Sequence, residues 1–394
     1  MRILIVSPGR LPVPATRGGA VETLTDLLLE YNEIHEQHDI WIASVWDREA
    51  ELKAHTYQYV RFLYIKQGRL STFVSERHLI PYRMVDYIYS KKVLKVLSEE
   101  KRKFDCIVIE NELVNGWVMM QKMKGRYIYH AHNDTLEVKK KKDIRFLKSC
   151  HKVITVSKFL GTELKSKAGL PNTEVVYNGV DTEMFKRTGH EEQAAKKREQ
   201  YGLSMNDFVI AFAGRLVEEK GIRVLVDALR FIPKEDRAVI LVIGSSFFGK
   251  TRDTAYIRSL RRVCASGGLR IIFTGYVEHS EMPVYYSMAD AGCIPSLWNE
   301  PFGLTAAEQM SMELPVIATD SGAIPEIVDS SCGYVFPRDK NLSRNIASAV
   351  MELRRDADGC RVKGKKARKI VTERFSRETF CKNWFKSVQI GERE

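Results

Sequence analysis

Long apolar runs are scarce in these 394 residues. None approaches the ~20 residues that a membrane-spanning helix requires. The opening residues, MRILIVSPGR, pass straight into a strand pattern, and their apolar run is too short for a secretory leader. Cysteine is sparse, seven residues in all, an odd number with no Cys-x-x-Cys spacing. That argues against a disulfide framework and against a zinc site, and for a reducing compartment. A cytoplasmic protein is the expectation. The dinucleotide pattern Gly-x-Gly-x-x-Gly is also missing from the loop after the first strand.

What is present describes a globular chain, with 44% hydrophobic and 28% charged residues. Its length is too great for one ordinary core and suits two domains. The net charge of +12 is uneven: residues 1–187 hold 31 Lys+Arg against 23 Asp+Glu, the remainder 31 against 27. The excess in the first half includes Lys101–Lys103 and Lys139–Lys142, and it suits either nucleic acid or an anionic membrane surface. No nucleic-acid reading motif accompanies it, so no nucleic-acid partner is expected.

Residues 2–6 (RILIV) read as a buried parallel strand. A loop carrying Gly18 and Gly19 follows, directly before a helical pattern from Val21 to Tyr31, where a substrate or phosphate could approach. Further strands are readable at Ile40–Val45, Tyr59–Ile65, Cys106–Glu110, Arg126–His130 and Val153–Val156, with helices between them. This alternation predicts an α/β protein with a parallel sheet covered on both faces. The segment 70–100 is aromatic and basic. At the fifth strand's end, His130 and His132 are two residues apart and share a face, yet no third metal ligand is visible nearby. One of them is expected at the carboxyl edge of the sheet, where open α/β folds bind ligands. His130, which ends the apolar run, is the first candidate and His132 the second. Glu174–Asp181 reads as a strand ending in an Asn-Gly turn, and the polar run to Gln200 as a linker.

The second half opens with a strand, Phe208–Ala213, and a loop flanked by Arg215 and Lys220, two cations that could neutralise a diphosphate. The stretch Ser296–Glu308, SLWNEPFGLTAAE, reads as a strand end, a loop and a helix start. Pro301 fixes a φ and Gly303 lets backbone approach a ligand. The amides of Gly303, Leu304 and Thr305 would be open donors for a phosphate. Glu300 and Glu308 flank that anion site; carboxylates would repel a phosphate, so they suit sugar hydroxyls, one acid for a transferred sugar and one for a ribose.

This stretch, with two Glu separated by seven residues, resembles the acidic-pair signature of retaining glycosyltransferases with the GT-B fold. The resemblance is closest to glycosyltransferase family 4, of the bacterial cell-envelope or coat-polysaccharide type, and it continues through LPVIATDSGAIPEIV (314–328). It implies two facing Rossmann-like, doubly wound parallel-sheet domains with a cleft between them. Their expected limits are 1–187, with a C-terminal helix 375–394 returning to that acceptor-side domain, and 188–374 for the donor side. It further implies that Arg215, Lys220 and the helix amides hold a diphosphate, that Glu308 takes the ribose and that Glu300 takes the sugar. A His at the strand end lies near the sugar; the glycine pair Gly18 and Gly19 belongs to the substrate loop. Gly275, Tyr276 and Val277 lie near the base, and Gly214, Pro301 and Phe302 complete the binding set. The implied reaction is transfer of a hexose, from a UDP-sugar in the first instance, to a saccharide, lipid-linked or envelope acceptor. No metal, other cofactor or protein nucleophile is implied, and the enzyme would work in the cytoplasm or at the inner face of the cell membrane.

Two motifs point elsewhere. GSSFFGKT (244–251) satisfies a P-loop pattern, but its helix would have to begin at the Lys-Thr, and helical spacing starts near Ala255. Asp356-Ala357-Asp358 mimics a metal-binding Asp-x-Asp within a charged helical stretch. The rival functions are a nucleotide-sugar epimerase or sugar phosphorylase on the same fold, and a non-catalytic coat or surface protein built on it.

Overall fold

Branched and apolar residues in short runs dominate both halves of the chain, and the computed structural model buries those runs completely, as in Cys106–Glu110 and Phe208–Ala213. Strands enclosed on both faces need no polar alternation, which is why they read as continuous apolar blocks. The structure describes residues 1–66, 81–100, 102–133, 141–245 and 254–389. Residues 67–80 of the aromatic-basic segment, Lys101, Asp134, Lys139, Lys140 and residues 246–251 of the P-loop-like motif lie outside them.

The chain divides into two compact units. The first comprises Met1–Gly179 and the C-terminal segment from Phe380, the second Val180–Thr379. In the first unit seven parallel strands run β1 (Arg2–Val6), β2 (Asp39–Val45), β3 (Val60–Ile65), β4 (Cys106–Glu110), β5 (Tyr127–Ala131), β6 (Lys152–Thr155) and β7 (Glu174–Val175). Their order in the sheet is β3-β2-β1-β4-β5-β6-β7. The second unit repeats the pattern with β8 (Phe208–Ala213), β9 (Ala238–Ile243), β10 (Ile271–Gly275), β11 (Ala291–Ile294), β12 (Val316–Thr319) and β13 (Gly333–Phe336), ordered β10-β9-β8-β11-β12-β13. Both sheets are doubly wound, with the strand order reversing between β1 and β4 and between β8 and β11. Loops leave such a reversal in opposite directions and open a crevice at the carboxyl ends of the strands.

Several boundaries differ from the sequence reading. The passage between units falls at Gly179, ahead of residue 187, and the return at Phe380, beyond residue 375. The polar run read as a linker contains a helix, Glu191–Gln200, belonging to the second unit. Only Glu174 and Val175 of the run to Asp181 pair as a strand, and β10 stops at Gly275, short of Val277. The last helix spans Arg377–Val388. From it Trp384 is fully buried in the first unit, while Phe385 stacks on Tyr31 at 5.8 Å and lies 5.2 Å from His38. No helix among the described residues is long and apolar enough to cross a membrane.

The two rival motifs have local explanations. Thr254 caps the helix Ala255–Ser266 by accepting from the Ile257 amide, so that helix starts beyond the Lys-Thr pair a P-loop would place at its N-terminus. Asp356 caps Ala357–Arg374 by accepting from the Gly359 amide at 2.8 Å, and Asp358 pairs with Arg361. An Asp spent as a helix cap is a structural residue.

Candidate active site

In the second unit, the loop after β8 and the loop after β11 meet at the strand-order reversal. Gly221 ends the short turn Glu218–Lys220 with φ 70°, and a Cβ there would collide with the Pro295 carbonyl oxygen. Only glycine allows this approach, and the contact is reinforced by the Leu297 amide donating to the Glu219 carbonyl at 2.8 Å. Lys220 is thereby aimed at Glu300: its Nζ donates to Oε1 at 2.7 Å and to Oε2 at 3.0 Å. Ser296 Oγ, 2.7 Å from Glu300 Oε1, donates to the same carboxylate. The Lys220 ammonium also stands 4.9 Å from the centre of the Trp298 ring. Glu300 is 7% exposed, and its own backbone is held from the far side, its carbonyl accepting from the Ala323 amide at 2.8 Å.

Pro301 and Phe302 lead into Gly303, which adopts φ 113° and ψ 58° as the cap of the helix Leu304–Ser311. Ala306 and Ala307 already donate to the Gly303 carbonyl, whereas the amides of Gly303, Leu304 and Thr305 have no partner among the described residues. Three open donors at a helix start are an arrangement that suits an anion. One turn further on lies Glu308, 8% exposed. His279 Nε2 meets its Oε1 at 3.0 Å, and the fully buried Tyr286 hydroxyl donates to its Oε2 at 3.2 Å. Burial opposes protonation of His279, but the hydrogen bond and charge of Glu308, with Asp181 beyond, outweigh it and raise its pKa. Burial and the Glu308 charge push the Tyr286 phenol well above its ordinary range.

Arg215 does not join the Lys220–Glu300 group; it pairs with Glu219 at 3.1 Å, both side chains half exposed. Gly214 and Gly275 follow and close β8 and β10, and the Gly275 carbonyl accepts from the Gly244 amide at 2.9 Å. Tyr276 donates its hydroxyl to Glu278 at 3.3 Å, and Val277 lies beyond the strand.

In the first unit, Gly18 and Gly19 precede the helix Ala20–His35 with φ 72° and 104°. Burial raises the pKa of Glu22, in that helix's first turn, to about 7. Glu110 at the end of β4 is in register with His130 on β5, so the two side chains share a face, and His132 follows two residues on. Glu110 Oε2 lies 3.0 Å from His130 Nδ1 and 2.7 Å from His132 Nε2. Burial would push the Glu110 carboxyl up, but the electrostatics and hydrogen bonds of the two imidazoles hold it at about 2. Burial and the neighbouring His130 bring His132 down to about 4, against the pull of Glu110. Asn111, with φ 59°, clamps the turn, its Oδ1 accepting from the amides of His132 and Asn133 at 3.1 and 2.9 Å. His130 is 1% exposed with Trp384 Nε1 at 3.4 Å, while His132 lies just past the strand end.

Glu110 therefore supplies the third group that a count along the local sequence missed, and ligand atoms of Glu110, His130 and His132 lie within 4.8 Å of one another. Among the described residues the opposite ring nitrogens, His130 Nε2 and His132 Nδ1, are buried without a partner. Ser296, Trp298, His279, Tyr286, Glu110 and Asn111 were all missed from the sequence. The visible signal was slight: an acid closing an apolar strand, CIVIE.

Two doubly wound sheets, one carrying a cation–carboxylate pair ahead of a glycine-led helix, define a glycosyltransferase of the GT-B type. The chain belongs to that class: residues 17–184 match the model of Glycosyltransferase Family 4, and residues 193–370 that of Glycosyl transferases group 1. Spore coat protein SA of Bacillus subtilis is 25% identical over 395 residues, covering 97% of this chain and 98% of its own. An uncharacterized glycosyltransferase of Methanocaldococcus jannaschii is 31% identical over 247 residues, 62% of this chain and 60% of that one. Crystal structures of Anabaena HepE with UDP and with UDP-glucose match with TM-scores of 0.76 and 0.74 at 21% identity. Each of those matches covers 98% of this chain and 99% of HepE, and shows a common fold.

Proposed function

We propose that the chain is a retaining, metal-independent hexosyltransferase that moves a sugar from UDP to a saccharide or lipid-linked acceptor of the cell envelope. The observation carrying this reading is the Lys220–Glu300 pair set beside the open amides of Gly303, Leu304 and Thr305. An arriving diphosphate competes for Lys220 and takes the helix amides, which releases the Glu300 carboxylate for hydroxyls of the sugar. As the bond from the sugar's C1 to the phosphate oxygen breaks, charge grows on the diphosphate, where Lys220 and the amides stabilise it. The acceptor oxygen bonds to C1 on the same face, and its proton passes to the leaving phosphate. Glu308 accepts from the ribose, and Arg215 swings from Glu219 to the diphosphate.

UDP is favoured because HepE, which shares the fold over nearly its full length, was crystallised with UDP and UDP-glucose. A thermal-shift comparison of UDP-, GDP- and ADP-hexoses tests the choice. At ligand near 100 times Kd, the true donor should add about 2.7 kcal/mol of stability. Stabilisation by a GDP- or ADP-sugar and not by a UDP-sugar would overturn the base assignment. A second reading, a coat component without turnover, is favoured by the likeness to Spore coat protein SA; indifference to all three donors would support it.

The acceptor side is assigned to an anionic membrane at the inner face of the cell membrane. On the helix Tyr82–Glu100, Tyr82, Met84, Tyr87 and Ile88 are exposed by 46, 54, 41 and 39%. Lysines gather around the aromatics, Lys91 over Tyr87 at 5.5 Å and Lys142 over Trp117 at 4.8 Å. Each Lys near acidic lipid contributes about 1 kcal/mol. Changing Lys139 to Lys142 into Gln should reduce sedimentation with anionic vesicles at low salt, less so at high salt, and leave donor hydrolysis in solution untouched. A wild-type protein that ignores such vesicles at low salt would disprove the membrane partner.

A further inference from the structure

We infer that His279 is a positioning residue for donor binding: with Tyr286 it holds the Glu308 carboxylate in place and offsets its charge, so that the acid can take a ribose diol close to a diphosphate. The inference rests on the assignment of Glu308 to the ribose. A carboxylate beside a phosphate is unfavourable by simple Coulomb repulsion, and two structural facts answer that problem here. Among the described residues each Glu308 oxygen receives one side-chain donor, His279 at Oε1 at 3.0 Å and the Tyr286 hydroxyl at Oε2 at 3.2 Å. A carboxylate offers about four acceptor sites on its two oxygens, so one lone pair on each oxygen is left for a vicinal pair of hydroxyls. The ring of His279 is itself fixed, lying 5.2 Å from the Phe185 ring.

Among the described residues, the groups facing His279 are few. Glu308 and Tyr286 come from the helices Leu304–Ser311 and Met282–Ser287. Asp181 contributes charge from the segment before Phe185, and its carboxylate is occupied by the Glu183 and Met184 amides and by Arg377 at 3.3 Å. On its own turn, Glu278 accepts from Tyr276, and Glu281 ends the turn. In this setting Glu308 and Asp181 keep the imidazolium beyond its ordinary range. The sign follows: a raised pKa means the cation is present below it and lost as pH climbs through it. Loss of the cation leaves an uncompensated negative charge near the diphosphate, so affinity falls with rising pH.

Calorimetry of the full-length protein with UDP and with 2′,3′-dideoxy-UDP tests the inference. Wild type should prefer UDP. His279→Ala should weaken UDP about tenfold, as removal of one charge-assisted hydrogen bond does, and barely change the dideoxy compound. His279→Gln, which restores a donor without a charge, should bind UDP more tightly than His279→Ala but only as well as wild type does at high pH, with no decline as pH rises. The side chain is 46% exposed, so either variant should fold, and unchanged melting temperatures would show it. Equal wild-type affinities for the two nucleotides would overturn the ribose role of Glu308 and this inference together. A wild type that discriminates, with a His279→Ala variant binding UDP as tightly, would overturn the inference alone.

Discussion

Lys220→Ala should lower the turnover number by about 100-fold or more, the usual consequence of removing a preorganised charge from a transition state. The geometry explains why this lysine carries so much. It reaches the reversal point of the second sheet on a turn that only glycine at 221 permits, and it is held 2.7 Å from Glu300 and 4.9 Å from the Trp298 ring. No other lysine is paired there among the described residues. The variant leaves Glu300 with Ser296 as its side-chain donor, so melting temperature should be measured alongside initial rates at saturating donor, to separate lost catalysis from lost fold. Lys250→Ala is the control. Lys250 lies outside the described residues, and its P-loop-like motif precedes a helix that starts only at Ala255. An indispensable Lys250 with a dispensable Lys220 would reverse the assignment.

Glu308→Ala and Glu300→Ala should fail differently. Losing the charge-assisted hydrogen bonds of Glu308 should weaken both the nucleotide sugar and free UDP by about 10- to 100-fold, because both ligands contain the ribose. Glu300→Ala should damage binding or transfer of the sugar alone. It should spare free UDP or tighten it, since the unliganded protein holds Lys220 on Glu300 and the variant releases that ammonium for the diphosphate. Titration of each variant with UDP and with the UDP-sugar distinguishes these outcomes. Equal losses for both ligands in both variants would refute the division of labour.

Much of the frame can be read locally. Branched apolar blocks such as RILIV and FVIAFA form strands buried on both faces, and helical spacing between them favours parallel pairing, so a parallel sheet covered on both faces follows from pattern, while the two doubly wound domains were implied by the family resemblance. The helix start at Gly303 is equally local, because proline, glycine and the first helical amides are contiguous in the chain. Boundaries were less legible. The run 191–200 is polar enough to pass for a linker, yet it folds as a helix, because a surface helix can be stabilised by packing one side and needs few apolar residues; only Ala194 is buried.

Partnerships are what tertiary structure decided. Lys220 and Glu300 are 80 residues apart, and each sits in a loop whose neighbours are visible but whose target is not. Glu110 meets His130 and His132 only because β4 and β5 lie in register, and one residue of slip would turn the acid to the other face of the sheet. Glu308 acquires His279 and Tyr286 from a turn and a helix that precede it by more than 20 residues. Composition and periodicity depend on neighbours along the chain and therefore specify the layers. The site depends on which loops converge where strand order reverses, and that convergence is a property of the packed sheet.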